Sequence, residues 1–211
     1  MKDLFVLTAD SDAEALLRSV LERHESLEIR PIAFDVRRFP GRDSGMVNQG
    51  PEVARVLVNK VEYSRVLLTW DHHGSGWESR SPEDALSRIQ ARLDGVTWAQ
   101  RSTAIVFVPE LEEWLWQSPR SIARHLGVTD HELTVMIAEA ALKLGKAPDR
   151  CRRELPKELF ETVLHSKERR RPLPEDFKKL GSLADLMQLR GSTAFVRLTQ
   201  VLQAWFPPDS A

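Results

Sequence analysis

Short unbroken apolar runs alternate with longer stretches in which apolar residues recur at helical spacing, and this alternation fills the first half of the chain. Leu4-Phe5-Val6-Leu7-Thr8-Ala9 is too short for a helix and suits a strand buried on both faces, ending at Asp10. Ser11 or Asp12 can cap the helix that follows, and its Ala13, Leu16, Leu17, Val20 and Leu21 lie on one face. Ile32, Phe34 and Val36 alternate as in a half-exposed strand, after which Pro40-Gly41-Arg42-Asp43-Ser44-Gly45 is expected to break regular structure. Val53, Val56, Leu57 and Val61 form a second amphipathic stripe, and Arg65-Val66-Leu67-Leu68-Thr69-Trp70 a third strand ending at Asp71. After the loop Asp71-His72-His73-Gly74-Ser75-Gly76-Trp77-Glu78, Ser81-Pro82-Glu83-Asp84 opens a helix with capping chemistry, its Leu86, Ile89 and Leu93 facing inward. Ala104-Ile105-Val106-Phe107-Val108 is the fourth strand, with a helix expected at once from Pro109.

Strands alternating with helices imply parallel pairing and right-handed crossovers. The expected fold is therefore an α/β three-layer sandwich around a parallel sheet of about four strands, over residues 1–118. Residues 119–211 read as a helical extension packed on that core, punctuated by Pro148, Pro156, Pro172 and Pro174. Hydrophobic content of 42% and charged content of 29% exclude a disordered or collagen-like chain. Cys151 is the single cysteine, which excludes an internal disulfide framework and a cysteine-rich zinc site. No apolar run approaches the roughly 18 residues of a membrane span, and no secretion signal precedes the first strand, so a cytoplasmic location away from membrane is expected.

The net charge of -1 offers no global attraction to nucleic acid, but Lys143 to Arg171 contains ten basic residues against five acidic ones. Arg152, Arg153, Arg169, Arg170 and Arg171 in that stretch, with Arg42 near the second strand, are the candidate DNA or RNA contacts. A solvated helix face would carry the same charges.

In a parallel sheet the residues after each strand share one rim, where open α/β folds bind ligands. Asp10, Asp12 and Glu14, then Arg42 and Asp43, then Asp71, His72, His73 and Glu78, then Glu110 and Glu112 should converge there. Crowded carboxylates repel one another unless a cation offsets them. A divalent ion such as Mg²⁺ or Mn²⁺ suits oxygen ligands with an occasional imidazole and can activate water against a phosphodiester. Asp10, Asp71, Glu110 and Glu112 are the candidate metal ligands, and Asp71, His73 and Glu110 the candidate catalytic residues. Helix capping and dipole pairing use the same residue types, although they require neither the His-His pair nor Gly-Ser-Gly. Trp70 and Trp77 flank this loop, where a ring either stacks on a base or fills the rim. Trp114 and Trp116 cannot share a helix face, so one is expected inward and the other against a partner or the tail.

Leu7-Thr8-Ala9-Asp10, Arg30-Pro31-Ile32, Arg42-Asp43-Ser44-Gly45, Asp71-His72-His73-Gly74-Ser75-Gly76 and Pro109-Glu110-Leu111-Glu112-Glu113-Trp114 together resemble the fourth-component family of bacterial methylation-associated anti-phage defence systems. The resemblance covers most of the chain and implies a defence context with other proteins of such a system as partners, not a mechanism. More distantly, acids after strands one and three resemble a Toprim-like domain, a metal-binding nuclease and topoisomerase fold. That pattern has Glu after the first strand and Asp-x-Asp after the third, whereas this chain has Asp10 and Asp71-His72-His73, which puts ordinary two-metal chemistry in doubt. Ile122 to Leu133 also resembles a helix-turn-helix, but Asp130 and Glu132 stand where a DNA-reading helix carries basic or polar groups. A catalytically silent partner-binding or DNA-binding subunit is the alternative to a nuclease.

Overall fold

Four apolar segments become four parallel strands in the computed structural model, which describes residues 1–58 and 62–208. The α/β half runs β1 (Lys2–Thr8), α1 (Ser11–Leu21), β2 (Phe34–Arg38), α2 (Arg42–Val58), β3 (Tyr63–Asp71), α3 (Pro82–Leu93), a π-helical turn at Asp94–Trp98, and β4 (Ser102–Phe107). Strand order is β2-β1-β3-β4. Thr8 lies opposite both Arg38 and Thr69, and Asp71 opposite Phe107, so all four strands end at one rim. The stripe residue Val61 lies outside the described residues.

Alternation along each strand divides the core in two. Phe5, Leu7, Val66, Leu68, Trp70, Ala104 and Val106 face α2 and α3. Leu4, Val6, Leu67, Ile105 and Phe107 face α1 and the helices beyond residue 111. Because α1 covers one face and α2 the other, the chain changes direction between β1 and β3, the kind of switch point at which open sheets bind ligands.

The remaining helices are α4 (Glu112–Gln117), α5 (Pro119–Leu126), α6 (Asp130–Lys143), α7 (Pro148–Glu154), α8 (Pro156–Glu168), α9 (Pro174–Leu183), α10 (Leu186–Leu189) and α11 (Thr193–Trp205). They share one hydrophobic cluster with β1, α1 and β4 and supply most of the second helical layer. Helix α9 runs against α1: Ser19 Oγ donates to the Lys178 carbonyl at 2.7 Å, and Arg23 Nη1 donates to the Gly181 and Ala184 carbonyls at 3.1 and 2.6 Å. A Cβ at Gly181 would sit 3.0 Å from the Leu16 carbonyl oxygen, so glycine permits this approach. Trp114 stands edge-on between Phe107 and Phe195, and Trp116 packs on Phe160. Trp116 also donates its indole N–H to the Pro156 carbonyl at 2.9 Å, which fixes the start of α8. Among the described residues no helix is long and apolar enough to cross a membrane.

One sequence expectation changes. The segment Arg42 to Gly45 is helical, as the first turn of α2, rather than an irregular loop. Gly45 is there for space, since a Cβ would meet the Phe39 ring at 2.6 Å. The same helix continues through Pro51, whose missing N–H leaves the Val47 carbonyl without its helical donor. Arg92 replaces that donor: Nη1 reaches the Val47 carbonyl, and Nη2 reaches the Asn48 carbonyl and the Glu52 carboxylate, each at 2.6 Å. Arg92→Ala should therefore destabilise the protein by about 1–2 kcal/mol in urea denaturation, through a helix carbonyl left unpaired. An unchanged midpoint would mean that water serves Val47 equally well. The helix pair at Ile122 to Leu133 forms, with Gly127 in the left-handed conformation between α5 and α6. Glu132, however, is locked in a capping box with Thr129, so the N-terminus of α6 presents acid.

Candidate active site at the sheet rim

The rim carboxylates are tied to backbone N–H groups of neighbouring segments, which sets their positions. Asp10 caps α1, its Oδ1 accepting from Asp12 and Ala13 at 3.0 and 2.8 Å. Asp43 Oδ1 accepts the Asp71 N–H at 2.8 Å, and Asp71 Oδ1 accepts the Leu111 N–H at 2.9 Å. The ends of β2, β3 and β4 are thus stitched together through two aspartates. Past β3, the His72 and His73 N–H groups donate to the Phe107 and Pro109 carbonyls at 2.8 and 3.0 Å, carrying the β3–β4 alignment into the loop. His73 Nδ1 then lies 3.4 Å from Glu110 Oε1. Glu112 opens α4 and is only 4% exposed.

Burial and mutual repulsion push this cluster towards protonation. Asp71 is raised well above the usual carboxylate range, first by loss of water and then by Glu112, Asp43, Asp10 and Glu110. Glu112 is pushed up to about 8 by burial, which outweighs the opposing ammonium of Lys157. Asp12 rises to about 6, through burial and then Asp10, and burial likewise raises Asp43 and Glu110. Lys157, in the first turn of α8, points its charge into the same group. Burial pulls its ammonium down, but Glu112, Glu110, Asp71 and Asp10 together hold it above its ordinary value.

Beneath the carboxylates, Thr8 and Thr69 face one another across β1 and β3 on the side that bears Asp71, and both buried hydroxyls find no hydrogen-bond partner among the described residues. In front lies an open cleft of about 440 Å³, lined by Asp10, Asp12, Asp43, Arg38, Arg42 and Lys157 among others. Oxygen donors carrying uncompensated negative charge suit a hard divalent cation. Among the described residues, no three His, Cys, Asp or Glu side chains are already grouped to hold one.

The structure thus brings Asp10, Asp71, Glu110, Glu112 and His73 to one rim and adds three groups to them. Asp12 and Asp43 are visible after strands one and two, though capping explains them equally well. Lys157 carries no local signal, because only the packing of α8 against α4 delivers it. His72 is turned aside, its Nε2 3.1 Å from the Arg80 carbonyl. Trp70 is a core residue and is not available to stack on a base, while Trp77 is half-buried with Arg80 over its ring at 5.5 Å. Gly74 and Gly76 take φ of 81° and 78°, the left-handed conformation that turns the loop.

The basic candidates are dispersed. Arg42 lines the cleft. Arg152 pairs with Asp149 at 3.2 Å, and Arg153 is exposed on α7. Arg170 is committed to the buried Asp176, which accepts both of its terminal nitrogens at 2.6 and 2.7 Å and also faces His125 Nε2 at 2.9 Å. Arg169 ends α8 in the left-handed conformation, and with Arg171, Lys143 and His165 it lines a surface groove. Arg169 itself lies roughly 18 Å along α8 from Lys157, at 1.5 Å per residue.

Fold and rim together define a doubly wound α/β protein with an acidic, lysine-bearing site at the ends of its strands. No family model, curated protein or solved structure matches the chain.

Proposed function

We propose that this chain is a divalent-metal-dependent phosphodiester hydrolase acting within an anti-phage defence system. The observation that carries the reading is the approach of Asp10, Asp71, Glu110 and Glu112 to Lys157 at the strand ends, where burial raises Asp71, Glu110 and Glu112 and a cation would relieve the crowding. Such charge is costly to keep without a use. Bound Mg²⁺ or Mn²⁺ would neutralise phosphate oxygens and make water a stronger nucleophile. Asp71 is the central ligand in this reading, with Asp10 and Glu110 sharing the ion and Glu112 behind them.

His73, oriented by Glu110, accepts the proton of the attacking water as the water oxygen bonds to phosphorus. The bond from phosphorus to the leaving sugar oxygen breaks, and that oxygen takes a proton from water in the open cleft. Lys157 stabilises the charge gathering on the phosphoryl oxygens. The Toprim-like and defence resemblances agree with this chemistry without supplying it.

A second reading is favoured by one observation: Lys157 already neutralises part of the cluster. A silent, partner-binding subunit would look the same. Calorimetry with Mn²⁺ and Mg²⁺ at pH 8, beside cleavage of supercoiled and single-stranded DNA and RNA, separates the two. We expect metal binding by the wild type, and a loss of at least about a hundredfold in cleavage rate for Asp71→Asn. No metal binding by the wild type would overturn the enzyme reading.

A further inference from the structure

Many arginines in this protein hold the chain together. Arg18 reaches the Val36 carbonyl at 2.7 Å, Arg23 the end of α9, Arg92 the α2 carbonyls, and Arg101 the Tyr63 carbonyl at 2.7 Å. Arg38 and Arg42 are different. Both are exposed, neither forms a hydrogen bond or ion pair with any described residue, and both line the cleft that opens onto the rim carboxylates.

Their placement is rigid although their side chains are free. Arg38 ends β2, next to Thr8 in register. Between the two arginines, Phe39 is buried, and its N–H donates to the Thr8 carbonyl at 2.7 Å. The Phe39 ring lies so close to Gly41 and Gly45 that a Cβ on either would come within 2.6 Å of it. Arg42 itself takes φ of 54°, a backbone conformation that costs a non-glycine residue free energy and that the packed Phe39 turn holds in place. Two guanidiniums without a partner among the described residues are thus carried by a rigid turn on the lining of a cleft that they share with Lys157, Asp10, Asp12 and Asp43.

The geometry points to Arg38 and Arg42 as a clamp for a phosphate of a single nucleotide unit, the one flanking the ester that the rim would cleave. Guanidinium forks match phosphate oxygens bidentately and cannot lose their charge. The cleft, about 440 Å³, is of small-ligand size, which suits one nucleotide, free or at a single-stranded end, and not a duplex segment. Asp10, Asp12 and Asp43 would repel that phosphate unless a cation stands between, so nucleotide and metal should bind cooperatively. The inference rests on the proposed metal-dependent chemistry but reads out through binding alone.

The test uses the full chain with Ca²⁺, by fluorescence anisotropy of a labelled single-stranded oligonucleotide and its duplex, and by calorimetry with a nucleoside 5′-monophosphate. The mononucleotide and oligonucleotide arms distinguish a free nucleotide ligand from a strand end. Arg38→Gln and Arg42→Gln should each weaken single-strand binding about tenfold and lower the slope of log affinity against log salt by about 0.7. Arg55→Gln removes an equally exposed, unpaired arginine from the far end of α2 and should change affinity less than twofold. Duplex binding as tight as single-strand binding, equal losses in all three variants, or no binding of any probe by the wild type would overturn the clamp. Metal binding and cleavage that persist in Arg38→Gln and Arg42→Gln would overturn it while leaving the hydrolase reading intact. Nucleotide binding without cleavage would do the reverse.

Discussion

In metal-free buffer the protein loses stability steadily between pH 5 and pH 8, and Glu112→Gln removes most of that slope. Glu112 has an ordinary value of 4.5 and stands at about 8 in the fold. Between those values the folded chain holds a proton there that the unfolded chain has released, so unfolding releases protons and stability falls as pH rises. The contribution is complete below the unfolded value and gone above the folded one. A shift of this size corresponds to about 5 kcal/mol. Asp71 and Asp12, also raised, add in the same direction, Asp12 towards the acid end of the window. Urea midpoints at unit steps from pH 5 to pH 8, with chelator present, give the slope directly. A flat wild-type profile would show that the rim carboxylates are ionised and individually compensated.

Lys157→Met should destabilise the protein by about 2 kcal/mol at pH 8 and by much less at pH 5. Lys157 is half-buried, so the loss stays below the roughly 3–5 kcal/mol of a fully buried ion pair deprived of one partner. At pH 5 Glu112 is protonated, and less charge is left for the ammonium to balance. At pH 8 the variant leaves the carboxylates facing one another, and millimolar Mg²⁺ should restore much of what is lost. The double variant with Glu112→Gln should be more stable at pH 8 than Lys157→Met alone, because it removes the charge as well as its partner. Equal losses at pH 5 and pH 8 would identify Lys157 as a packing residue whose stem, not its charge, matters.

How much of this is legible in the sequence depends on whether the cause is local. Strand runs such as Leu4 to Thr8 and Val66 to Trp70 announce themselves because both faces are buried, which leaves no polar positions in the pattern. The rim follows from those runs by parallelism alone, and so Asp10, Asp71, Glu110 and Glu112 can be brought together before any coordinates. The helical start of α2 cannot be seen, because glycines at 41 and 45 look like chain breakers when their actual cause is a phenyl ring two to six residues away. Pro51 inside that helix is tolerable only through Arg92, which arrives from α3. Lys157 stands 45 residues beyond Glu112 in a segment whose charge reads as a solvated basic face. Arg170 reads the same way, but its partner is a buried aspartate. For such groups the tertiary path decides between surface charge and site, and periodicity does not contain it.

The packing of α9 on α1 has a consequence for how the molecule is made. When β4 has left the ribosome, the sheet can pair and α2 and α3 can cover one face. On the other face α1 then has no α9 to lie against, and the apolar side chains of Leu16 and Leu17 await partners not yet synthesised. The roughly 80 residues between the end of β4 and the end of α9 take about 4–16 s at about 5–20 residues per second. Over that interval the nascent chain exposes one side of its core, which makes it a client for a chaperone. The delay also means that the four-carboxylate rim meets its ammonium in a closed second layer only after α9 has emerged.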